Sequence, residues 1–314
     1  MAMGNIELMV TLWPSFPHFA KFAGDGRLSG IRLNSAMTSA AELDAEFEMA
    51  SKAPACAPLW FDIKGRQLRV VEAIRFPDHL EIVINHPISV HTPVPVLFKA
   101  GANSAPLVAV EDSGSRLVFH GGPKLEVRPG ESLCIRDSSL VVHGPFLAES
   151  EHEKIEKVKA AGIRKWFLSY VEEQSDVDRF LELVGADAEV MLKIESPKGL
   201  RYVDSDFRKR PNLALVAARG DLYVEIARPH LMMAAMRLII GKDPEALAGS
   251  RLLLSILNGP VPECVDFMEL AWLADAGYRR FMLCDEICLK GELLANAVNA
   301  FDEFRTDYEP PKRG

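Results

Sequence analysis

"MLKIESPKGL", residues 191–200, starts as an interior strand and stops at a proline and a glycine. Met191, Leu192 and Ile194 suit a core, but Lys193 and Glu195 stand among them. Residues i and i+2 of a strand share a face, so both charges point to one side of the sheet. An ionised side chain left unpaired in an apolar interior is costly, so that side must offer a partner, a ligand or an opening. The charges lie at the C-terminal end of the run, where the strand gives way to a loop.

Runs of the same kind recur along the chain. Strands are expected at 6–13 (IELMVTLW), 30–35 (GIRLNS), 58–64 (PLWFDIK), 164–170 (RKWFLSY), 189–195 (EVMLKIE), 213–219 (LALVAAR), 251–257 (RLLLSIL) and 279–285 (RRFMLCD). Helical stretches lie between most of them; in "DVDRFLELV", Val177, Phe180, Leu181 and Val184 recur at helical spacing and make one apolar face. Eight β/α units predict an α/β fold, a (β/α)8 TIM barrel. A doubly wound open sheet is the alternative, but the first strand is followed by no glycine-rich phosphate loop. From about residue 66 to 145 the helical period disappears, and short strand-like runs alternate with Gly, Pro, Asp and Ser turns. This predicts a small β-domain inserted after the third strand, at 66–143, with the barrel built from 1–65 and 144–314.

The chain has 314 residues, 48% of them hydrophobic, and a formal net charge of -8. Only "DFRKRP" and the terminal "PPKRG" are basic, so nucleic acid is not an expected partner. No apolar run is long enough to span a bilayer and no secretory leader is evident, which predicts a cytoplasmic protein without membrane contact. The five cysteines lack finger-like spacing and are expected to be reduced. Five histidines of the insert, including His79 and His86, lack ligand spacing and are read as surface or turn residues. "ESEHEKIEKVK" is read as a solvated helix face.

In a barrel the residues at the C-terminal ends of strands form one mouth. Here those ends carry Thr11, Arg32, Asn34, Asp62, Lys64, Ser169, Lys193, Glu195, Arg219, Asp221, Ser255, Asp285 and Glu286. Glu195 and Asp221, on neighbouring strand ends, suit a hard divalent cation, Mg2+ or Mn2+, which takes a few carboxylates and completes its shell with water and substrate oxygens. A ketoacid or its enolate is the matching substrate class, with Lys193 set to neutralise charge on its oxygen. Arg32 and Arg69 carry planar forks that clamp a carboxylate or phosphate. Read alone, Lys193 and Glu195 also describe a solvated strand end, and Asp221 in "ARGDL" also describes a helix N-cap.

The order of "GIRLNSAM", "FDIKGRQLR", "GESLCIRDSSLVV", "MLKIESPKGL", "VAARGDLYVEI" and "FMLCDE" resembles the pyruvate kinase family of the phosphoenolpyruvate/pyruvate barrel superfamily, whose barrel carries a β-domain after its third strand. The resemblance ends near residue 305, before that family's C-terminal domain. It implies that Lys193 is the phosphoryl-transfer lysine and that Glu195 and Asp221 are the metal carboxylates. It puts the backbone of Ala218, Arg219 and Gly220, with Ser169, around the substrate. Arg32 and Arg69 match arginines that contact phosphates, Asn34 and Asp62 match two potassium ligands, and Glu286 matches a glutamate of the eighth-strand motif. Several positions depart. The family's serine and histidine after the second strand are Ala36 and Met37, its threonine after the aspartate is Ile63, and its seventh-strand Ala-Thr-Gln-Met is read as "LSILNG". A glycine becomes Tyr223. The ketoacid half is kept while the ADP/ATP and K+ half is altered. The expected activity is therefore pyruvate-kinase-like chemistry on phosphoenolpyruvate, pyruvate or a related ketoacid, with phosphoryl transfer to ADP as one use of it. A metal-dependent lyase or aldolase, or a non-catalytic ketoacid-binding regulator, are the alternatives. A homo-oligomer is expected.

Overall fold

A computed structural model of the chain describes residues 6–54, 56–124 and 126–308. The basic "PPKRG" run lies outside the described residues. Strands β1 (Glu7–Thr11), β2 (Leu28–Asn34) and β3 (Leu59–Ile63) open the fold. Strands β4 (Val70–Arg75), β5 (His79–Ile84), β6 (Ile88–Ser89), β7 (Val94–Phe98), β8 (Asn103–Glu111), β9 (Arg116–His120), β10 (Leu133–Ile135) and β11 (Val141–Val142) form the insert. Strands β12 (Lys165–Leu168), β13 (Glu189–Ile194), β14 (Leu213–Ala218), β15 (Leu247–Gly249) and β16 (Arg280–Met282) follow. The helices are α1 (Phe19–Ala23), α2 (Leu43–Ser51), α3 (Glu149–Ala160), α4 (Gln174–Val184), α5 (Pro197–Ser205), α6 (Arg219–Glu225), α7 (Met232–Lys242), α8 (Cys264–Ala276), α9 (Asp285–Cys288) and α10 (Gly291–Asp307).

Eight parallel strands close in the order β1-β16-β15-β14-β13-β12-β3-β2. The insert is an antiparallel sheet, β10-β7-β8-β9-β5-β4, with the short pair β11-β6 beside it. The fold is thus a (β/α)8 barrel with an inserted β-domain after its third strand.

Alternation along each strand determines which residues enter the barrel. Met9, Trp60, Phe167, Met191, Ala214, Val216, Leu247 and Met282 pack together inside it. Their neighbours, such as Val190, Leu192 and Ile194, join the core under the helices. Both faces are buried, as parallel sheets require. Two residues on from the inner layer, at the C-terminal end, the same parity carries Thr11, Asp62, Ser169 and Lys193 into the interior. Gly65 lets the chain leave β3 for the insert: a Cβ there would lie 2.3 Å from the Ser169 carbonyl oxygen.

The seventh strand differs from expectation. It is Leu247–Gly249, and the expected strand residues Leu254–Leu257 form a 3-10 helix instead. Ser250, Arg251 and Leu253 have left-handed backbone, with φ of 60°, 59° and 53°, which ends the extended run. Leu252 and Leu253 are buried all the same, and a short apolar run reads alike in strand or loop. Glu151 and Lys154 of α3 are also not solvated. They are buried and paired at 2.9 Å, and the second Glu151 oxygen accepts from Ser35 Oγ at 3.1 Å and from the Lys64 amide at 3.0 Å. This ties α3 to the exits of β2 and β3. His86 is likewise buried rather than on the surface. The helical reading of α4 agrees with the structure: Val177, Phe180, Leu181 and Val184 are its buried apolar face. Among the described residues no helix is long and apolar enough to cross a membrane.

Candidate active site

The inner residues of the C-terminal layer converge on one charge network. Asp62 is fully buried. Its Oδ2 lies 3.1 Å from Arg32 Nη1, 3.0 Å from Lys64 Nζ and 3.4 Å from Lys193 Nζ, and its Oδ1 accepts from Ser169 Oγ at 2.9 Å. Burial raises its pKa, but Lys193, Lys64 and Arg32 together more than reverse that, so it is held well below the usual carboxylate range. The same crowding acts in reverse on Lys64, whose ammonium burial pushes down to about 8.

Lys193 Nζ donates to Ser169 Oγ at 2.8 Å and pairs with Glu195 Oε1 at 2.9 Å. Burial opposes its charge, and Asp62 and Glu195 overcome that opposition. Glu195, 1% exposed, accepts at its other oxygen from the Tyr170 amide at 2.6 Å. Burial pushes Glu195 up; Lys193 offsets only part of this, because Asp221 pushes the same way. Asp221, in the first turn of α6, accepts from Gln67 Nε2 at 2.8 Å. Asp221 is not the helix N-cap; Ala218 is.

These groups border a cavity of about 220 Å³ at the C-terminal end of the barrel, lined by Arg32, Lys193, Glu195, Ala218, Gly220, Asp221, Ser250 and Glu286 among others. A second cavity of about 550 Å³ opens at the opposite end, beside Glu7, Glu189 and Arg280. The first holds the convergent charges, at the end where barrel loops build sites. Among the described residues no three His, Cys, Asp or Glu side chains form a ready metal cage. Glu195 and Asp221 do share the cavity, and Asp221 raises the cost of the charge on Glu195. Two carboxylates on one cavity fit a hard divalent cation by donor type, although both oxygens of Glu195 already have partners in Lys193 and the Tyr170 amide.

Not every expected residue enters this site. Arg69 turns away: it hydrogen-bonds Gln67 and donates to the Gly130 carbonyl at 2.7 Å, so it reaches the site only through Gln67 and Asp221. The Arg219 side chain also points away, to Glu269 at 2.8 Å and the Arg251 carbonyl at 3.1 Å, while its neighbours Ala218 and Gly220 line the cavity. The Gly220 amide donates to Ser250 Oγ at 2.9 Å. Asn34 and Asp62 pair in register on β2 and β3, but the amide nitrogen of Asn34 donates to Asp285 at 3.1 Å and Asp62 is surrounded by cations. Glu286 is exposed on the cavity wall. The carboxylate that engages the network is its neighbour Asp285, 2.7 Å from Arg32 Nη2. Arg32 Nε donates to Thr11 at 2.9 Å, so all three guanidinium nitrogens are engaged.

No family model matches the chain. Pyruvate kinase of Thermoplasma acidophilum is 23% identical over 332 residues, covering 98% of this chain and 58% of that one. Pyruvate kinase of Methylorubrum extorquens is 26% identical over 208 residues, 65% of this chain and 42% of that one. Pyruvate kinase 1 of Saccharomyces cerevisiae is 25% identical over 203 residues, 63% of this chain and 39% of that one. The chain is similar in sequence to pyruvate kinases. It spans about half the length of the curated relatives it matches.

The position of the seventh strand bears on the reading of "LSILNG" as its motif. That strand ends at Gly249 and runs into Ser250 and Arg251, so "LSILNG" is not at its C-terminal end. A hydroxyl, that of Ser250, is therefore present on the cavity wall. Sequence reasoning overlooked Ser250 and Gln67, and it placed Lys64 and Asp285 at the mouth without giving either a role. Lys64 shares the parity of Asp62, and Asp285 is the last residue of an expected strand, so both carried a readable signal.

Proposed function

We propose that the chain is a pyruvate-kinase-like enzyme that acts on phosphoenolpyruvate, pyruvate or a related ketoacid through an enolate. The observation that carries this reading is the buried Lys193, held by Asp62, Ser169 and Glu195 at the edge of a cavity that also holds Asp221. Lys193 presents a positive charge where an enolate oxygen would develop, and its neighbours keep it protonated. Glu195 and Asp221 hold Mg2+ or Mn2+, which when bound supplies Lewis-acid polarisation of the keto oxygen. The backbone around Ala218, Arg219 and Gly220 receives the substrate carboxylate once the Gly220 amide turns from Ser250 Oγ, with Ser250 and Ser169 beside it. Arg32 orients the network and contacts a phosphoryl group when one is present; Arg69 and Glu286 act from outside it. K+ at Asn34 and Asp62 competes with Arg32, Lys64 and Lys193 for the same carboxylate. The same proposal takes 66–143 as the insert boundaries and a cytoplasmic homo-oligomer as the working form.

A coupled assay with phosphoenolpyruvate, ADP, magnesium and potassium tests phosphoryl transfer; pyruvate formation no faster than in Lys193→Ala rejects it. A second reading, a metal-dependent lyase or aldolase that shares the enolate but takes no ADP, is favoured by Arg32, whose nitrogens are all occupied by Thr11, Asp62 and Asp285. Exchange of pyruvate methyl protons in deuterated water with manganese, without phosphoryl transfer, selects it.

A further inference from the structure

We propose that the cleft between the inserted sheet and the barrel loops after β12, β13 and β14 is a second ligand site, one that binds a phosphorylated small molecule. This cleft encloses about 640 Å³ and shares no lining residue with the cavity that holds Lys193, Glu195 and Asp221. That volume exceeds what a bare anion needs and is in the range of sites for organic ligands.

Four cations line it: Arg66 and Arg136 from the insert side, Lys198 and Arg201 from α5. Arg66 is committed to Asp176 at 3.1 Å, and Lys198 faces Glu172 at 3.4 Å. Among the described residues Arg136 and Arg201 meet no carboxylate. The Nε of Arg136 donates to the Val224 carbonyl, which holds the side chain against α6 where it lines the cleft. The three acids of the lining are already occupied. Asp137 accepts from the amide and hydroxyl of Ser139 at 2.8 and 2.6 Å, and Glu172 accepts from Ser196 and faces Lys198. Glu225 lies against Tyr170 and Cys134. Two guanidinium forks without acidic partners, Arg136 on the insert side and Arg201 on α5, line one cleft, and such forks suit a phosphate monoester, which accepts bidentate hydrogen bonds on more than one edge.

The cleft adjoins the main cavity without merging with it. A narrow gap bordered by Gln67, Cys134, Asp221 and Glu225 separates them. Glu225 and Asp221 are one helical turn apart on α6, so an occupant of the cleft contacts the element that carries Asp221.

The test is calorimetric titration of the whole chain with inorganic phosphate, without divalent metal. Saturable binding is expected, retained in Lys193→Gln and weakened at least about tenfold in the double variant Arg136→Gln/Arg201→Gln. Both arginines are exposed, so the fold should survive; Arg201→Glu alone is the second variant and weakens binding in the same direction. The proposal is overturned by a wild-type chain that shows no saturable phosphate binding, by affinity unchanged in both arginine variants, or by binding that only Lys193→Gln removes. None of these outcomes depends on turnover of phosphoenolpyruvate.

Discussion

The ammonium of Lys193 lies 2.9 Å from the carboxylate of Glu195, two residues further along the same strand exit, and 3.4 Å from Asp62 across the barrel. One lysine thus compensates two buried carboxylates that come from different strands.

Replacing it exposes that arrangement. Lys193→Met is expected to cost about 3–5 kcal/mol of unfolding free energy at pH 8, the typical penalty for removing one partner of a buried pair. Urea denaturation measures it, and a loss below about 1 kcal/mol, the scale of a surface pair, would show the group to be solvated. Any turnover of a ketoacid should fall to the background rate in the same variant.

The two carboxylates of the cavity are separable by their metal dependence. Glu195→Gln and Asp221→Asn are each expected to weaken Mn2+ binding, read by electron paramagnetic resonance, by more than about 100-fold. Gln67→Ala, which removes only the amide that orients Asp221, should weaken it by about 10–100-fold. Equal Mn2+ binding in Asp221→Asn and the wild type would remove Asp221 from the metal site.

Asp285 and Glu286 make a contrasting pair. Asp285 holds Arg32 and Asn34, whereas Glu286 is exposed on the cavity wall. Loss of a charge-assisted hydrogen bond costs about 1.5–3 kcal/mol, so Asp285→Asn should lower kcat/KM for the ketoacid by about 10–100-fold. Glu286→Gln should change it by less than about threefold. The reverse order of effects would return the role to Glu286.

Glu225 predicts a pH dependence. Burial pushes its carboxyl up from 4.5 to about 7 in the folded chain. A carboxyl that binds its proton more tightly when folded adds stability below about 4.5, and that contribution is lost as pH rises through about 7. Glu225→Gln keeps a neutral group there at every pH. Its Tm relative to wild type should therefore rise between pH 5 and pH 8, and a constant difference would show that Glu225 is ionised throughout.

Much of this protein was legible before folding was considered. The spacing of Lys193 and Glu195 put both on one face, and the structure directs that face into the barrel because Met191, two residues earlier, packs inside. The recurrence of β/α units implied closure, and the loss of helical period after residue 66 marked the insert. Short elements escaped. The three residues of β15 are fewer than a pattern can reveal, and the leucines beyond them are buried by loop packing rather than by pleating. Glu151 and Lys154 look like surface charges until α3 is seen to cap the exits of β2 and β3.

The sequence by itself determined which side chains face inward and which residue types reach the barrel mouth, because those follow from a period of two and the position of each strand end. Only the tertiary structure decided who pairs with whom. Arg32 meets Asp285 across 253 residues of chain, while Arg69 turns away to Gln67 and the Gly130 carbonyl. Pairing of charges depends on distance through space, and closure of the barrel sets that distance.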